Sequence, residues 1–393
     1  MRLFLVRHGQ SEANFTMTHA GQLDVKLTAQ GISEAENIAP ILADIKFDKV
    51  FSSDLSRAVD TQKYALPNAV AVQTPLLREY DVGHIAGRKF EDTNREYGSG
   101  FRADRDYRRF GGECTEDVCA RLKKFLTMLE HDPCDNVIAF AHNGVMCCML
   151  RLIFGCEYDY NSVFSHNRAI NVFEYSDGKW RLLCWDYMKP FDEGSIKPDE
   201  KVLFMVRHGQ SEANIKGVFG GQFDYPLTPR GISEAESIRT TLALHRYDKV
   251  YCSDLSRAVT TQKIALPEYE PEITPLVREI DEGDLVGTSI SEAAKKYGEE
   301  FMIRRDYRDH NGESAPQMKK RIERFLRLVE QSDHKISIAI AHNGTINTML
   351  EIAVKGDYDR TVLESTNCGI HIFRFDGRDW RLICWNYMYR IKG

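Results

Sequence analysis

Nine consecutive residues, VRHGQSEAN, occupy positions 6–14 and occur again, letter for letter, at 206–214. The offset of 200 holds along the chain. SSDLSRAV at 52–59 is answered by CSDLSRAV at 252–259, and LREYDVG at 77–83 by VREIDEG at 277–283. GGEC at 111–114 is answered by NGES at 311–314, AHNG at 141–144 by AHNG at 341–344, and WRLLCWDYM at 180–188 by WRLICWNYM at 380–388. So long a period belongs to a duplicated domain and not to a solenoid unit. The 393 residues are also too many for one ordinary core. The chain is therefore expected to fold as two domains, 1–188 and 201–393. Between them KPFDEGSIKPDE at 189–200, rich in Pro, Gly and acid, reads as an exposed linker.

The letters that the copies share are largely polar. Immediately after Asn14 and Asn214 the stretches FTMTHA and IKGVFG have diverged. Substitutions have accumulated, then, and have missed the motifs, which points to chemistry rather than packing.

Within each copy, strand and helix patterns alternate. RLFLV at 2–6, DKVFSS at 48–53 and NVIAFAH at 136–142 read as buried strands. Helical spacing of apolar residues runs through 28–45, 56–66 and 114–131, and an apolar helix follows at 145–155. Such alternation predicts an α/β fold with a largely parallel central sheet. AINVFEY at 169–175 and RLLCWDY at 181–187 then predict a terminal hairpin. In folds of this class function gathers at the carboxyl ends of the strands. Arg7–His8, Ser53–Arg57 and His142–Gly144 all fall just past a predicted strand, so distant residues converge on one sheet edge.

Composition narrows the partners. With a net charge of −6, bulk electrostatics favour neither nucleic acid nor an acidic membrane, and an anion must be held by local arginines. The ten cysteines include no C-x-x-C pair and read as reduced, mostly core-filling residues of a cytoplasmic protein. The apolar run in MRLFLVRHG is too short for a secretory signal or a membrane span. No metal-ligand spacing and no Walker loop occurs, so no cofactor is expected.

Two histidines and two arginines at one sheet edge suit phosphoryl transfer. Arginine forks match phosphate oxygens and stay charged at every relevant pH. A neutral imidazole can attack phosphorus and carry the phosphoryl group, while surrounding cations stabilise the transferring charge. Glu79 is an acid that could protonate the leaving alcohol, given surroundings that raise its proton affinity.

With R-H-G, S-x-L-x-R-A, L-x-E and a second histidine before a glycine turn all present in order, twice, the chain resembles the histidine phosphatase superfamily, the phosphoglycerate mutase-like family. The likeness covers nearly its whole length. It implies two tandem three-layer α/β/α domains, each with a mostly parallel sheet. It also implies that His8 and His208 are nucleophiles that become phosphohistidine, with Glu79 and Glu279 as proton donors. Arg7, Arg57 and His142, like Arg207, Arg257 and His342, would bind the phosphoryl group, and Asn14 and Asn214 sit where family members often contact phosphate. The expected substrate is a small phosphorylated metabolite, hydrolysed at two sites.

The sequence departs from the broad-specificity phosphatases of the family. Ile85-Ala86-Gly87 and Leu285-Val286-Gly287 stand where those commonly have Trp-Glu-Gly, and Cys114 stands opposite Ser314. The segment before the second histidine is short for a classical mutase, which favours hydrolysis. The alternatives are mutase-type transfer, or a phospho-ligand binding protein with one silent half. Arg57 has a bland reading as an exposed first-turn residue on a helix capped by Ser53 or Asp54. Arg105–Arg108 and Arg305–Arg308, both RDYR, are either charged surface or anion recognition in a lid. His19, His84, His166 and His310 have no histidine in the other copy and are read as non-catalytic. Duplication also allows the halves to pack as an internal pseudo-dimer.

Overall fold

The computed structural model describes residues 1–132, 134–163, 165–187, 194, 196–363 and 365–387. Half of the expected linker, 189–193 and 195, lies outside the described residues, as do 188 and 388–393. The described residues divide into two compact units.

The first unit grows from its most apolar segment. Strand β1 (Arg2–Arg7) is buried at every residue after Arg2, as a central strand must be. A short helix α1 (Glu12–Thr16) follows, closed by a capping box between Ser11 and Asn14. Then come α2 (Ala29–Leu42), β2 (Lys49–Ser53), α3 (Ser56–Ala65) and the short β3 (Val72–Thr74). Next are α4 (Phe90–Tyr97), α5 (Gly100–Asp104), α6 (Thr115–Glu130), β4 (Asn136–Ala141) and α7 (Asn143–Phe154). The hairpin β5 (Ile170–Ser176) and β6 (Lys179–Tyr187) completes the unit. Its turn, Asp177–Gly178, has positive φ at both residues, the hand that a two-residue hairpin favours.

The sheet order is β3-β2-β4-β1-β5-β6. The first four strands are mutually parallel, and β5 and β6 run antiparallel to their neighbours. Right-handed crossovers decide where the helices lie. The steps β1 to β2 and β2 to β3 move one way along the sheet, placing α2 and α3 on one face. The steps through α6 and α7 move the other way, onto the opposite face. Accordingly α2 packs on α3, and α6 on α7. The result is the expected α/β/α arrangement, with Trp185 fully buried.

The second unit repeats this plan. Its strands are β7 (Lys201–Arg207), β8 (Lys249–Cys252), β9 (Glu272–Ile273), β10 (Ile336–Ala341), β11 (Ile370–Phe375) and β12 (Trp380–Tyr387), in the order β12-β11-β7-β10-β8-β9. Its helices are α8 (Glu212–Lys216), α9 (Pro229–Leu242), α10 (Ser256–Ala265), α11 (Ile290–Tyr297), α12 (Glu299–Arg304), α13 (Ala315–Gln331) and α14 (Asn343–Val354). Among the described residues no helix is long and apolar enough to cross a membrane.

Candidate active site

Strand register assembles the site. Parallel pairing sets Arg7 against Ala141, so the next residue on each strand, His8 and His142, emerges at the same level of the sheet edge. Their rings lie 5.1 Å apart, tilted by 60°. The second unit reproduces this with Arg207 against Ala341, and His208 and His342 again 5.1 Å apart.

The turn after β1 fixes the first imidazole. His8 Nδ1 lies 2.6 Å from the carbonyl oxygen of Gly9. A carbonyl only accepts, so Nδ1 carries the hydrogen and Nε2 keeps its lone pair. Burial first, then Arg57 and Arg7, hold His8 well below the ordinary imidazole pKa, so the ring is neutral near pH 7. The turn itself is pinned from two sides. Gly9 N–H donates to Thr61 Oγ1 at 3.0 Å, and a Cβ on Gly9 would come within 2.3 Å of the Gly31 carbonyl oxygen. Conversely, a Cβ on Gly31 would come within 2.0 Å of the Gln10 carbonyl oxygen. His208 repeats the arrangement, at 2.7 Å from Gly209 O and lowered by the same causes.

His142 is fully buried. Its Nε2 meets Ser53 Oγ at 2.9 Å, and its Nδ1 is buried without a hydrogen-bond partner. Burial, then Arg57 and His8, keep it neutral as well. His342 and Ser253 form the equivalent pair at 2.8 Å.

Both arginines are inside the structure. Arg57 is 1% exposed and donates to Leu23 O at 2.9 Å and to Gly21 O at 2.7 Å. Its bland reading as an exposed first-turn residue is thus wrong. The cap of α3 is Leu55, with no side-chain bond; Ser53 Oγ meets His142 and accepts from Leu55 N–H at 3.4 Å, and Asp54 pairs with Arg78 at 2.8 and 2.6 Å. Burial lowers Arg57 to about 10, which still leaves it charged. Arg257 makes the matching bonds to Phe223 O and Gly221 O. Arg7 Nη1 and Arg207 Nη1 donate to the Ser165 and Ser365 carbonyls.

The acid is aimed by backbone. Glu79 Oε2 accepts from Gly144 N–H at 3.1 Å, in the first turn of α7, and Oε1 accepts from Tyr80 N–H at 2.9 Å. Glu279 has the same two partners, Gly344 and Ile280. Asn14 Oδ1 accepts from Ser11 N–H and from Asn167 Nδ2 at 3.1 Å each, and Asn167 also bonds His8 O. Asn214 is held likewise, with Asn367. The structure therefore gathers the four arginines, four histidines and two glutamates singled out from sequence into two equivalent clusters, one per unit, and ties each asparagine to the backbone of the turn that carries His8 or His208.

Other residues position these without having been singled out. Arg121 donates to Leu76 O at 2.9 Å, to Glu79 O at 3.0 Å and to Glu113 Oε1 at 3.1 Å, while Glu113 accepts from Asp81 N–H. Together they hold the loop that carries Glu79. Arg321 and Glu313 do the same. The retained Glu–Arg pair eight residues apart in both copies was the available signal. Cys114 and Ser314 prove to be the N-caps of α6 and α13, so their difference is a helix-start difference. His19 bonds Thr93, His84 bonds Phe110 O and His166 contacts Asp186.

The two clusters differ at their rims. Val82 is replaced by Glu282, 9% exposed, which accepts from Gly221 N–H at 2.6 Å. Burial, and next Glu279, push Glu282 up to about 8. Arg305 lies 3.6 Å from Glu279, whereas Arg105 lies over the Tyr160 ring, 5.0 Å from its centroid. Among the described residues no group of three or more His, Cys, Asp or Glu is arranged to hold a metal ion.

Comparison with known proteins gives a consistent picture. The family model described as histidine phosphatase superfamily (branch 1) matches residues 3–187 and again 203–388. Adenosylcobalamin/alpha-ribazole phosphatase of Escherichia coli is 30% identical over 155 residues, covering 38% of this chain and 76% of that protein. A 2,3-bisphosphoglycerate-dependent phosphoglycerate mutase of Bradyrhizobium is 39% identical over 117 residues, 28% of this chain and 56% of that protein. A mycobacterial glucosyl-3-phosphoglycerate phosphatase in complex with VO3 superposes with a TM-score of 0.44 at 25% identity, covering 47% of this chain and 98% of that one.

Proposed function

The chain belongs, in both halves, to the histidine phosphatase superfamily, and from there we propose that each unit hydrolyses small phosphate monoesters through a phosphohistidine. The observation that carries this reading is the His8 tautomer: Nδ1–H is committed to Gly9 O, so a neutral Nε2 is the attacking atom. In the first step Nε2 bonds to phosphorus as the ester P–O bond breaks. Glu79 gives its proton to the leaving oxygen, while Arg7, Arg57 and His142 hold the phosphoryl oxygens and Asn14 supports the turn beside them. In the second step water loses a proton to Glu79 and attacks phosphorus, and the N–P bond breaks. His208, Glu279, Arg207, Arg257, His342 and Asn214 take the same roles in the second unit. Arginines that stay charged and imidazoles that stay neutral are what this division of labour requires.

Relatives named as phosphatases support hydrolysis. Relatives named as mutases support a second reading, in which a substrate hydroxyl replaces water as acceptor. The test is hydrolysis of an aryl phosphate, without added metal, by wild type, His8→Ala, His208→Ala and the double variant. Partial activity in both single variants and none in the double supports two hydrolytic sites. One dead single variant leaves one working site. No phosphate release, with label moving to an acceptor alcohol, replaces the hydrolase by a transferase.

A further inference from the structure

Arg105 closes α5 and Arg305 closes α12, both in left-handed backbone, with φ of 48° and 49°. The chain launches the two arginines alike, and their side chains nevertheless part. At Gly344 the point where a Cβ would stand is 2.0 Å from Glu279 Oε1 and 2.6 Å from Arg305 Nη2. At Gly144 the matching point is 2.0 Å from Glu79 Oε1 and 2.4 Å from the Tyr80 ring. The guanidinium of Arg305 therefore fills, next to the acid, a place that an aromatic ring fills in the first unit.

The neighbours account for the difference. Tyr80 corresponds to Ile280. The far end of the Tyr80 ring is held, its Oη lying 3.1 Å from Thr115 Oγ1 and 3.3 Å from Cys148 Sγ. Ala315 and Thr348 stand at those positions in the second copy. Arg105 lies instead over the Tyr160 ring, 5.0 Å from its centroid, within the range of cation–π attraction. The residue matching Tyr160 is Arg360, paired with Glu351, and it offers a second cation no platform. An aromatic block and an aromatic platform thus hold Arg105 back. Arg305 has neither and settles 3.6 Å from Glu279 Oε1. The Arg305 and Glu279 side chains are 14% and 15% exposed, so a ligand still reaches them.

An acid that protonates the leaving oxygen lies against the leaving alcohol, so whatever stands beside the acid meets the substituents next to that oxygen. In the second unit this is a charged fork suited to a carboxylate or a phosphate. In the first it is a ring, beside which an anion would lose hydration without gaining a partner. We propose that the residue after the acid, Tyr80 or Ile280, is the positioning residue that sets the substrate class of each site. Ile280 admits Arg305, and the second site takes monoesters whose leaving alcohol carries an anionic group beside the ester oxygen. Tyr80 excludes Arg105, and the first site takes monoesters of uncharged alcohols. This division rests on the function proposed above.

Calorimetric titration of the full chain with 3-phosphonopropionate and with propylphosphonate tests it. Both have carbon in place of the ester oxygen and do not turn over, and only the first bears a carboxylate. One class of sites should bind 3-phosphonopropionate about tenfold tighter than propylphosphonate, the worth of one charge-assisted hydrogen bond. R305M should remove that preference, R305K should restore part of it, and R105M should leave it in place. Y80I combined with Y160L should create a second such class, by letting Arg105 face Glu79. A carboxylate preference that survives R305M, one that is lost in R105M, or equal affinity for the two phosphonates at both sites overturns the proposal while leaving the phosphate sites standing. Failure of both phosphonates to bind overturns the phosphate-site reading itself, and this proposal with it.

Discussion

Glu282 yields the sharpest quantitative prediction. Its carboxyl is buried beside Glu279, and Arg305, the Gly221 N–H and Arg257 offset only part of the cost of ionising there; the outcome is a pKa of about 8. In the unfolded chain a glutamate titrates near about 4.3. Between those values the native state holds a proton that the unfolded state has released. Stability is then full below the unfolded pKa and is lost as pH rises through about 8, at up to about 1.4 kcal/mol per pH unit. Water entry and local rearrangement reduce the total, so a net loss of roughly 2–4 kcal/mol across the window is expected. Glu282→Gln removes the titration while keeping the size and an oxygen for the Gly221 N–H. The buried neutral histidines act with the opposite sign, lowering stability as pH falls below about 6.5. The informative quantity is therefore the difference between wild type and variant. Urea unfolding from pH 5 to 9, followed by tryptophan fluorescence, should show nearly equal stability at pH 5 and a growing advantage for the variant toward pH 8.5. Curves that stay parallel would refute the reasoning, as would an advantage that shrinks with pH. Val82→Glu should import the same slope into the first unit.

Other expectations concern the site's supports. Gly144→Ala places a Cβ 2.0 Å from Glu79 Oε1 and 2.4 Å from the Tyr80 ring. In a His208→Ala background it should abolish turnover of the first site with the circular dichroism spectrum retained. Ser53→Ala leaves His142 Nε2 buried without its partner, and should cost about 1–3 kcal/mol of stability by denaturant unfolding while lowering kcat of the first site. Arg121→Met frees the Glu79 loop at Leu76 O and Glu79 O, so kcat should fall more than KM rises. Nitrogen-15 spectra should show the His8 ring still neutral at pH 6; a titration centred on pH 6.5 would contradict its enclosure by Arg7 and Arg57.

Sequence made the sheet legible where burial is uniform. β1, β2 and β4 were readable because continuous apolar runs have few other places to go, and the convergence of Arg7, His8 and His142 followed from their places after those strands. The segment from Gly83 to Phe110 was not readable. Its short helices α4 and α5 are polar, and they take their shape from the cluster of Tyr97, Phe101 and Phe110. The role of Ser53 was also hidden, since it depends on β2 and β4 register and not on either strand alone. Arg57 was singled out by its motif, but its burial was not readable locally: burial of a charge is set by the carbonyls that surround it, here Gly21 and Leu23, which lie far away in the chain. Glu282 was visible as a letter, but only the burial of its counterpart Val82 makes it unusual.

The paired glycines at 9 and 31 carry a consequence for heredity. A Cβ at either position would run into a backbone carbonyl of the facing segment, Gly31 O for Gly9 and Gln10 O for Gly31, and since those oxygens stay whatever the side chains, changing both residues together relieves neither clash. Each glycine is therefore held in place by its own clash. The same clash recurs at Gly209 and Gly231, where the distances are 2.3 and 2.1 Å. One letter of the shared nonapeptide, the glycine after the histidine, is thus demanded by the path of the neighbouring backbone, whatever the turn does chemically.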